Sequence, residues 1–351
     1  MAITVLTEKL KSAGARIADY RGAETAAAFS DAVKEFAALR SGCGVFDLGW
    51  RAKLLITRSD RQKWLNGMVT NNIRNLGVGH GNYSFLLNAQ GHILGDMYLY
   101  NRGDYILLDT DAAQAAKLRQ ALEHFIIMDD VEIADASDKL TAIGLLGPKA
   151  QSVLSAAGIE PPSLEPLQMR DATWNSVGIT LVAAEQGGFE LWLACANAAK
   201  LWDALLAAGA TPVGTEALEL WRIAHGIPRY GQDIRERDLP QETGQMRALN
   251  FAKGCYVGQE IVERIRSRGA VHRQFSGFEI KGPPPAAGTK LQAGGKDVGE
   301  LTSVTTLPGD RTVALGYIRR EAAAPGAILT ASESKARIAE LPFALEPVLK
   351  S

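Results

Sequence analysis

Cysteine is scarce in this chain. Three thiols, Cys43, Cys195 and Cys255, stand among 351 residues. Their odd number and wide spacing exclude a disulfide framework and a CxxC zinc pair, and fit a reducing compartment. Long apolar runs are also missing. No stretch approaches 18 uninterrupted apolar residues, so no membrane span is expected. Residues 1–20 lack a long apolar core and carry Glu8, Lys9 and Lys11, unlike a secretory signal. A cytoplasmic placement is the expectation. Charge of one sign is not in excess: 38 basic and 39 acidic side chains leave a net charge of −1. That balance argues against direct nucleic-acid binding. Arg264, Arg266, Arg268 and Arg273 cluster in sequence, which reads as a solvated helix face. The five histidines show no HxxxH or HxH spacing, so no metal site is expected. No GxSxG elbow and no Walker loop occur. Gly77, Gly79 and Gly81 lie outside a strand–helix context and read as a loop, not a dinucleotide fingerprint.

The chain does carry enough apolar residues, 46%, for sizeable cores, and its length predicts two or three domains. Helical spacing runs over residues 24–40, with Ala26, Phe29, Val33 and Phe36, and ends at Gly42 and Gly44. Ser59 or Asp60 can cap a helix carrying Trp64 and Leu65. From Tyr83 to Leu108, apolar strands alternate with tight turns, which predicts an antiparallel meander. A helix is expected over 111–125, a hairpin around Gln186-Gly187-Gly188, and a helix over Thr215–Ala224. Residues 225–250 are irregular and polar, long enough to be a functional loop. After Pro283-Pro284-Pro285, short strands separated by turns continue through residue 348 and predict a small β-barrel or sandwich.

Three places could carry chemistry. Lys253-Gly254-Cys255-Tyr256-Val257-Gly258-Gln259-Glu260 puts a thiol between glycines and ahead of an amphipathic helix on which Ile261, Val262 and Ile265 share a face. A helix N-terminus and a nearby lysine both favour the thiolate, the reactive form. Gln259 and Glu260 can cap or orient the first helical turn. The alternative is a structural thiol in an ordinary loop. Asp96 lies in the apolar strand 93–98 and either faces solvent or points into a cleft as an acid/base. Arg222, with Arg229, Tyr230 and Asp233 in the following loop, offers a fork for a planar carboxylate.

With these segments set out, the chain resembles the YgfZ-type folate-binding proteins, relatives of the glycine cleavage T-protein (aminomethyltransferase). The likeness covers nearly the whole chain. It is carried by Gly44-Val45-Phe46-Asp47-Leu48, Val69-Thr70-Asn71-Asn72-Ile73, the block from Tyr83 to Asp96, and Arg222 through Asp233. Val313-Ala314-Leu315-Gly316-Tyr317, Pro325-Gly326 and above all Lys253 to Glu260 extend it; the last run is similar to the YgfZ signature KGC[YF]xGQE, absent from the T-protein branch. The resemblance implies an α+β fold: a T-protein-like ring of two interleaved α+β folate-binding subdomains plus a C-terminal antiparallel β-barrel. The expected boundaries are 1–50 with 140–245 for the first subdomain, 51–139 for the second, 246–270 for the cysteine loop and helix, and 271–351 for the barrel.

The resemblance also implies a tetrahydrofolate cofactor. Candidate folate contacts are Tyr83, Asp96, Gln186, Arg222 and Tyr230, and candidate catalytic residues are Cys255, Lys253 and Asp96. Two departures from the T-protein pattern stand out. The T-protein GEDG reads Glu185-Gln186-Gly187-Gly188, and RLEAG reads Arg222-Ile223-Ala224-His225-Gly226. Gly95 also replaces the first of two adjacent aspartates. The lost carboxylates count against aminomethyl transfer. The Lys253-to-Glu260 run favours a folate-binding accessory protein, which the resemblance implies would support iron–sulfur enzyme assembly or repair and, through such enzymes, tRNA modification. Its partners would be reduced folate and iron–sulfur client or assembly proteins, and the protein is expected to be a monomer. The alternative is the aminomethyltransferase of glycine cleavage, a folate-dependent one-carbon transferase. A folate-dependent demethylase or oxidase accessory domain is a third reading, against which the lack of a dinucleotide fingerprint counts.

Overall fold

The computed structural model describes residues 2–269, 271–324 and 326–345. Pro325 of the Pro325-Gly326 pair and the side chain of Arg268 lie outside the described residues. The chain divides into two compact units: residues up to Ser84 with Met97–Leu218, and Phe85–Asp96 with residues from Glu219 onward.

In the first unit, a six-stranded sheet runs in the order Met169–Trp174, Val177–Ala183, Phe189–Ala194, Leu140–Leu146, Gly44–Asp47 and Thr211–Pro212. All neighbours are antiparallel except the last pair. The inner strands read as near-continuous apolar runs, and Val45, Ile143, Leu145, Leu181 and Leu191 are buried in one cluster. Helix Ala198–Ala207 adds Leu201, Trp202 and Leu205 to that cluster. Burial of each large side chain contributes about 1.5–3 kcal/mol. A second sheet has the order Gly81–Leu87, Ile93–Asn101, Ile106–Asp111, Arg51–Thr57 and Glu132–Asp135, which is the meander expected from the alternation after Tyr83.

Two local expectations are corrected. Residues 24–40 are not one helix: Ala23–Ala28 is a strand, and the helix is Ala32–Ser41. Asp31 sets the boundary, its side chain accepting from the Val33 and Lys34 backbone N–H groups as an N-cap. Alanine has no branched side chain to declare a strand, so a helical stripe can be read through it. Asp60 does precede helix Arg61–Met68 but makes no side-chain cap; its carboxylate accepts from the Asp130 N–H at 2.9 Å.

In the second unit, helix Glu219–Ala224 is the end of Thr215–Ala224, the span expected from its apolar spacing. The loop that follows contains two short 3-10 turns, Pro240–Thr243 and Met246–Ala248. Helix Gln259–Arg268 comes next, with Gly258 at φ +80° as its N-cap residue. The chain then forms a closed barrel of six antiparallel strands in the order Arg273–Lys281, Arg311–Arg319, Lys296–Leu307, Lys290–Ala293, Ile328–Ala331 and Ser334–Ala339. Phe278, Leu291, Leu301, Ala314, Ile318 and Leu329 fill its interior. Closure removes the unpaired edges that an open sheet would expose. Among the described residues no helix is long and apolar enough to cross a membrane.

Candidate functional site

The first unit gathers charge and aromatic rings on the second sheet. Arg51 and Asp111 face each other across paired strands, as do Lys53 and Asp109. Side chains two apart share one face, so these opposite charges form a ladder. Lys53 Nζ donates to Asp109 at 2.6 Å although Lys53 is fully buried. Arg51 donates to Asp109 at 2.6 Å and to Asp111 at 2.8 Å. Burial works against the Arg51 charge, but those carboxylates outweigh it and hold the guanidinium protonated.

Beside this ladder sit Glu190 and Trp192, two apart on one strand. The Trp192 indole N–H donates to the Glu190 carboxylate at 2.8 Å. The Lys53 ammonium lies 5.4 Å from the Trp192 ring centre, and Tyr100 meets that ring edge-on at 4.8 Å. Burial raises the Glu190 carboxyl above its usual range, and Asp109 raises it further, while Lys53 opposes the shift. Tyr98 stacks on Tyr100 at 6.4 Å and packs at a tilt on Tyr83 at 5.1 Å. Tyr83 is buried, with its carbonyl taking the Asn71 amide at 2.9 Å. Tyr83, Tyr100, Trp192 and Lys53 are buried in this cluster, and Tyr98, Arg51 and Glu190 are its half-buried members, the ones that a flat ligand with N–H donors could reach.

Gln186 is placed elsewhere in the same unit, exposed in the hairpin turn. Its neighbour Glu185 is half-buried and accepts from the Tyr98 hydroxyl at 3.2 Å. Glu190 is the carboxyl that sequence reasoning missed. The available signal was its position two residues before Trp192 on a strand, which puts both on one face.

In the second unit, the tight turn at Gly91 packs on the start of helix Gln259–Arg268. A Cβ at Gly91 would lie 2.8 Å from Ile261, and one at Gly258 would lie 2.5 Å from the Asn88 carbonyl. Both glycines have φ near +80°, so larger residues are barred by conformation and by space. The Tyr230 hydroxyl donates to the Leu94 carbonyl at 2.5 Å, and the Ile93 N–H to the Asp238 carbonyl at 3.1 Å. The stretch leading to Asp96 is thereby fixed, and Asp96 alternates with the buried Gly95 and Met97 on the more open face of its strand.

Arg222 is buried and committed. Its guanidinium donates to Glu219 at 2.7 Å, to Asp233 at 2.8 Å and to Ser303 at 2.9 Å. Asp233, fully buried, also accepts from the Arg229 N–H and the Ser303 hydroxyl. The arrangement anchors the loop after helix Thr215–Ala224, and those bonds use all three guanidinium nitrogens. This differs from an arginine fork open to a ligand carboxylate.

Cys255 is exposed and lies four residues before the helix that follows it. Gln259 at that helix start accepts from the Tyr256 N–H at 3.3 Å, whereas Glu260 points to solvent. Lys253 differs from the sequence expectation. It is buried, its ammonium 5.0 Å from the Tyr256 ring centre, and burial lowers its pKa to about 7. It therefore brings much less than a full positive charge to the loop at neutral pH. The structure thus brings Asp96, Arg222, Tyr230, Lys253 and Cys255 into one unit and Tyr83 and Gln186 into the other. Among the described residues no group of three or more histidine, cysteine or acidic side chains could hold a metal ion.

Comparison with known proteins accounts for this architecture. Residues 6–253 match the GCVT N-terminal domain, and residues 271–343 match the CAF17 C-terminal beta-barrel domain. An aminomethyltransferase of Rubrobacter xylanophilus is 30% identical over 352 residues, spanning 97% of this chain and 93% of the relative. One of Thermus thermophilus is 29% identical over 98% of this chain and 99% of the relative. The crystal structure of the glycine cleavage system aminomethyltransferase T from Bartonella henselae superposes with a TM-score of 0.89 at 22% identity, covering 97% of this chain and 98% of that one. The fold is thus that of the T-proteins, and the chain belongs to the GCVT-domain family, with a CAF17-type β-barrel at its C-terminal end.

Proposed function

We propose that this protein is a tetrahydrofolate-binding accessory protein of the YgfZ type, with Cys255 as its working thiol. The observation that carries this reading is the Lys253-to-Glu260 run, whose cysteine the fold leaves exposed between two glycines. Next to it stands a lysine whose amine is partly neutral near pH 7. An exposed thiol on a glycine-flanked loop can attack a disulfide, accept a transferred group or touch a cluster transiently. One cysteine cannot hold a cluster, so iron–sulfur client or assembly proteins would supply the remaining ligands. Service to such enzymes would reach tRNA modification indirectly.

The residues of the first unit fit a folate. A pterin is flat, with an amino edge of N–H donors. The half-buried Tyr98 ring, backed by the buried Tyr83, Tyr100 and Trp192, offers aromatic surface, and half-buried Glu190 offers an acceptor beside it. Tetrahydrofolate, when bound, supplies one-carbon carrier chemistry; the chain's own groups bind and orient it. The second reading, an aminomethyltransferase, is favoured by the names of the relatives and by Asp96 on the open face of its strand. Against it stand Gln186 and Ala224 where the T-protein pattern has carboxylates.

The deciding experiment replaces the native protein in deleted cells with Cys255→Ala and measures the activity of a cluster-dependent enzyme. Loss of that activity with full expression is the expected outcome; unchanged activity sinks the thiol role. Turnover of aminomethyl-lipoyl protein by the purified chain would instead establish the transferase reading, and absence of binding to reduced folate by calorimetry would overturn the cofactor.

A further inference from the structure

The outer face of the C-terminal barrel holds a feature that none of this chemistry uses. On strands Arg273–Lys281 and Arg311–Arg319, Arg273 is paired in register directly opposite Arg319. Like charges opposed across a ladder repel, and sheets normally avoid them. Two residues along, Phe275 faces Tyr317, and Tyr317 in turn faces Glu300 on strand Lys296–Leu307. Alternation puts all five side chains on one face, opposite the interior residues Ala314 and Ile318.

A cleft of 330 Å³ on this face is lined by Arg273, Glu300, Tyr317 and Arg319 together with Arg237, Lys290 and Asp297. Four cations therefore meet two carboxylates in its wall. Glu300 is already taken: Arg235 and Lys290 each donate to it at 2.7 Å, and these contacts lower its pKa to about 2 against the opposing effect of burial. Asp297 is exposed and accepts from the Gln292 amide. Arg273 is held by Asp238 and Glu242 while its guanidinium covers the Tyr317 ring at 4.7 Å. Arg319 and Arg237 are the loosely held cations, with side chains 61% and 59% exposed and their ion-pair carboxylates at 3.8 Å and 3.6 Å. Tyr317 is only 4% exposed, and its hydroxyl is closed off from the cleft in the field of the Asp238, Asp233 and Glu242 carboxylates.

We infer that this cleft binds an oxyanion, a phosphate or a carboxylate group of a small ligand, between Arg319 and Arg237. Guanidinium forks match the paired oxygens of either group, and an anion there relieves the repulsion of the opposed arginines. The site is independent of the folate and thiol reading.

The test titrates the full chain by calorimetry at constant ionic strength with two probes, inorganic phosphate and the dipeptide of glutamate. Saturable binding of one of them is expected, about tenfold weaker in Arg319→Ser and weaker still with Arg237→Ser added. Preference for phosphate or for the dipeptide identifies the source of the oxyanion. Both arginines are surface residues, so these variants should keep the wild-type unfolding midpoint. Binding of neither probe, or binding that Arg319→Ser with Arg237→Ser leaves unchanged, overturns the site.

Discussion

The two units handle charge in opposite ways. In the first, Arg51, Lys53, Asp109 and Asp111 are taken out of water but paired within 2.6–2.8 Å across neighbouring strands. Each buried charge has a partner one strand away, so desolvation is offset and the side chains have little freedom. In the second, Lys253 is also out of water, but it faces the Tyr256 ring and its proton is weakly held. The thiol two residues on is open to solvent. Strand pairing fixes side chains in place, whereas the glycine-flanked loop leaves its thiol exposed. Substitutions within the paired ladder should therefore damage folding, and substitution of the exposed thiol should leave it intact.

The sharpest attempt to break that contrast is Lys53→Met. It leaves Asp109 buried with only Arg51 to balance it, and removing one partner of a buried pair costs about 3–5 kcal/mol. Denaturant unfolding should show a loss of stability of that size; a loss below about 1 kcal/mol would mean that the ladder is not what fixes this surface. A smaller effect is expected from Glu190→Gln, which keeps shape but removes the carboxyl. Affinity for reduced folate should fall by about 1.5–3 kcal/mol, the worth of a charge-assisted bond, with the unfolding midpoint much less affected. Calorimetry on the variant checks both the site and the assignment of Glu190 over Gln186.

Much of this frame was legible in the residues. The meander after Tyr83, helix Thr215–Ala224 and the C-terminal barrel follow from alternation, apolar spacing and turn residues. The Lys53–Asp109 pair was not, because the two residues are 56 apart in sequence and only strand register joins them. Arg222 reads on its own as an open fork, yet the partner that closes it, Ser303, lies 81 residues away. Glu190 was obscured by the alignment of a short acidic motif to Gln186, a position that the fold turns outward. The cysteine loop was the most local feature and the easiest to find, but the state of Lys253 depends on burial that no spacing reveals.

That burial yields a third prediction. The folded-state pKa of Lys253, about 7, lies below its ordinary value of 10.5. Between those values the unfolded chain binds more protons, so stability should rise with pH from about 7 to 10. Below pH 7 the buried ammonium is a burden on the fold. Lys253→Met should therefore stabilise by about 1–2 kcal/mol at pH 6, the Tyr256 ring offsetting part of the full effect, and the gain should be smaller at pH 9 and vanish only as pH approaches the ordinary lysine value of 10.5. Unfolding midpoints at the two pH values read it directly. A gain that does not change with pH would show that packing, not the proton, is responsible.

The smallest effect expected on stability is at Cys255, the thiol proposed to react. Cys255→Ser replaces an exposed sulfur by an exposed oxygen and touches no core, so the unfolding free energy should move by less than about 0.5 kcal/mol. The same variant should be unable to take an electrophilic thiol label at this position, while wild type labels there first: Cys43 is buried and its thiol is pushed up to about 11, and Cys195 is half-buried and also raised. Labelling followed by peptide mass mapping orders the three sites. If Cys195 were modified ahead of Cys255, exposure and glycine flanking would not be what sets reactivity in this chain. If Cys255→Ser instead lost several kcal/mol, the loop would belong with the first unit's fixed surface and the contrast between the units would fail.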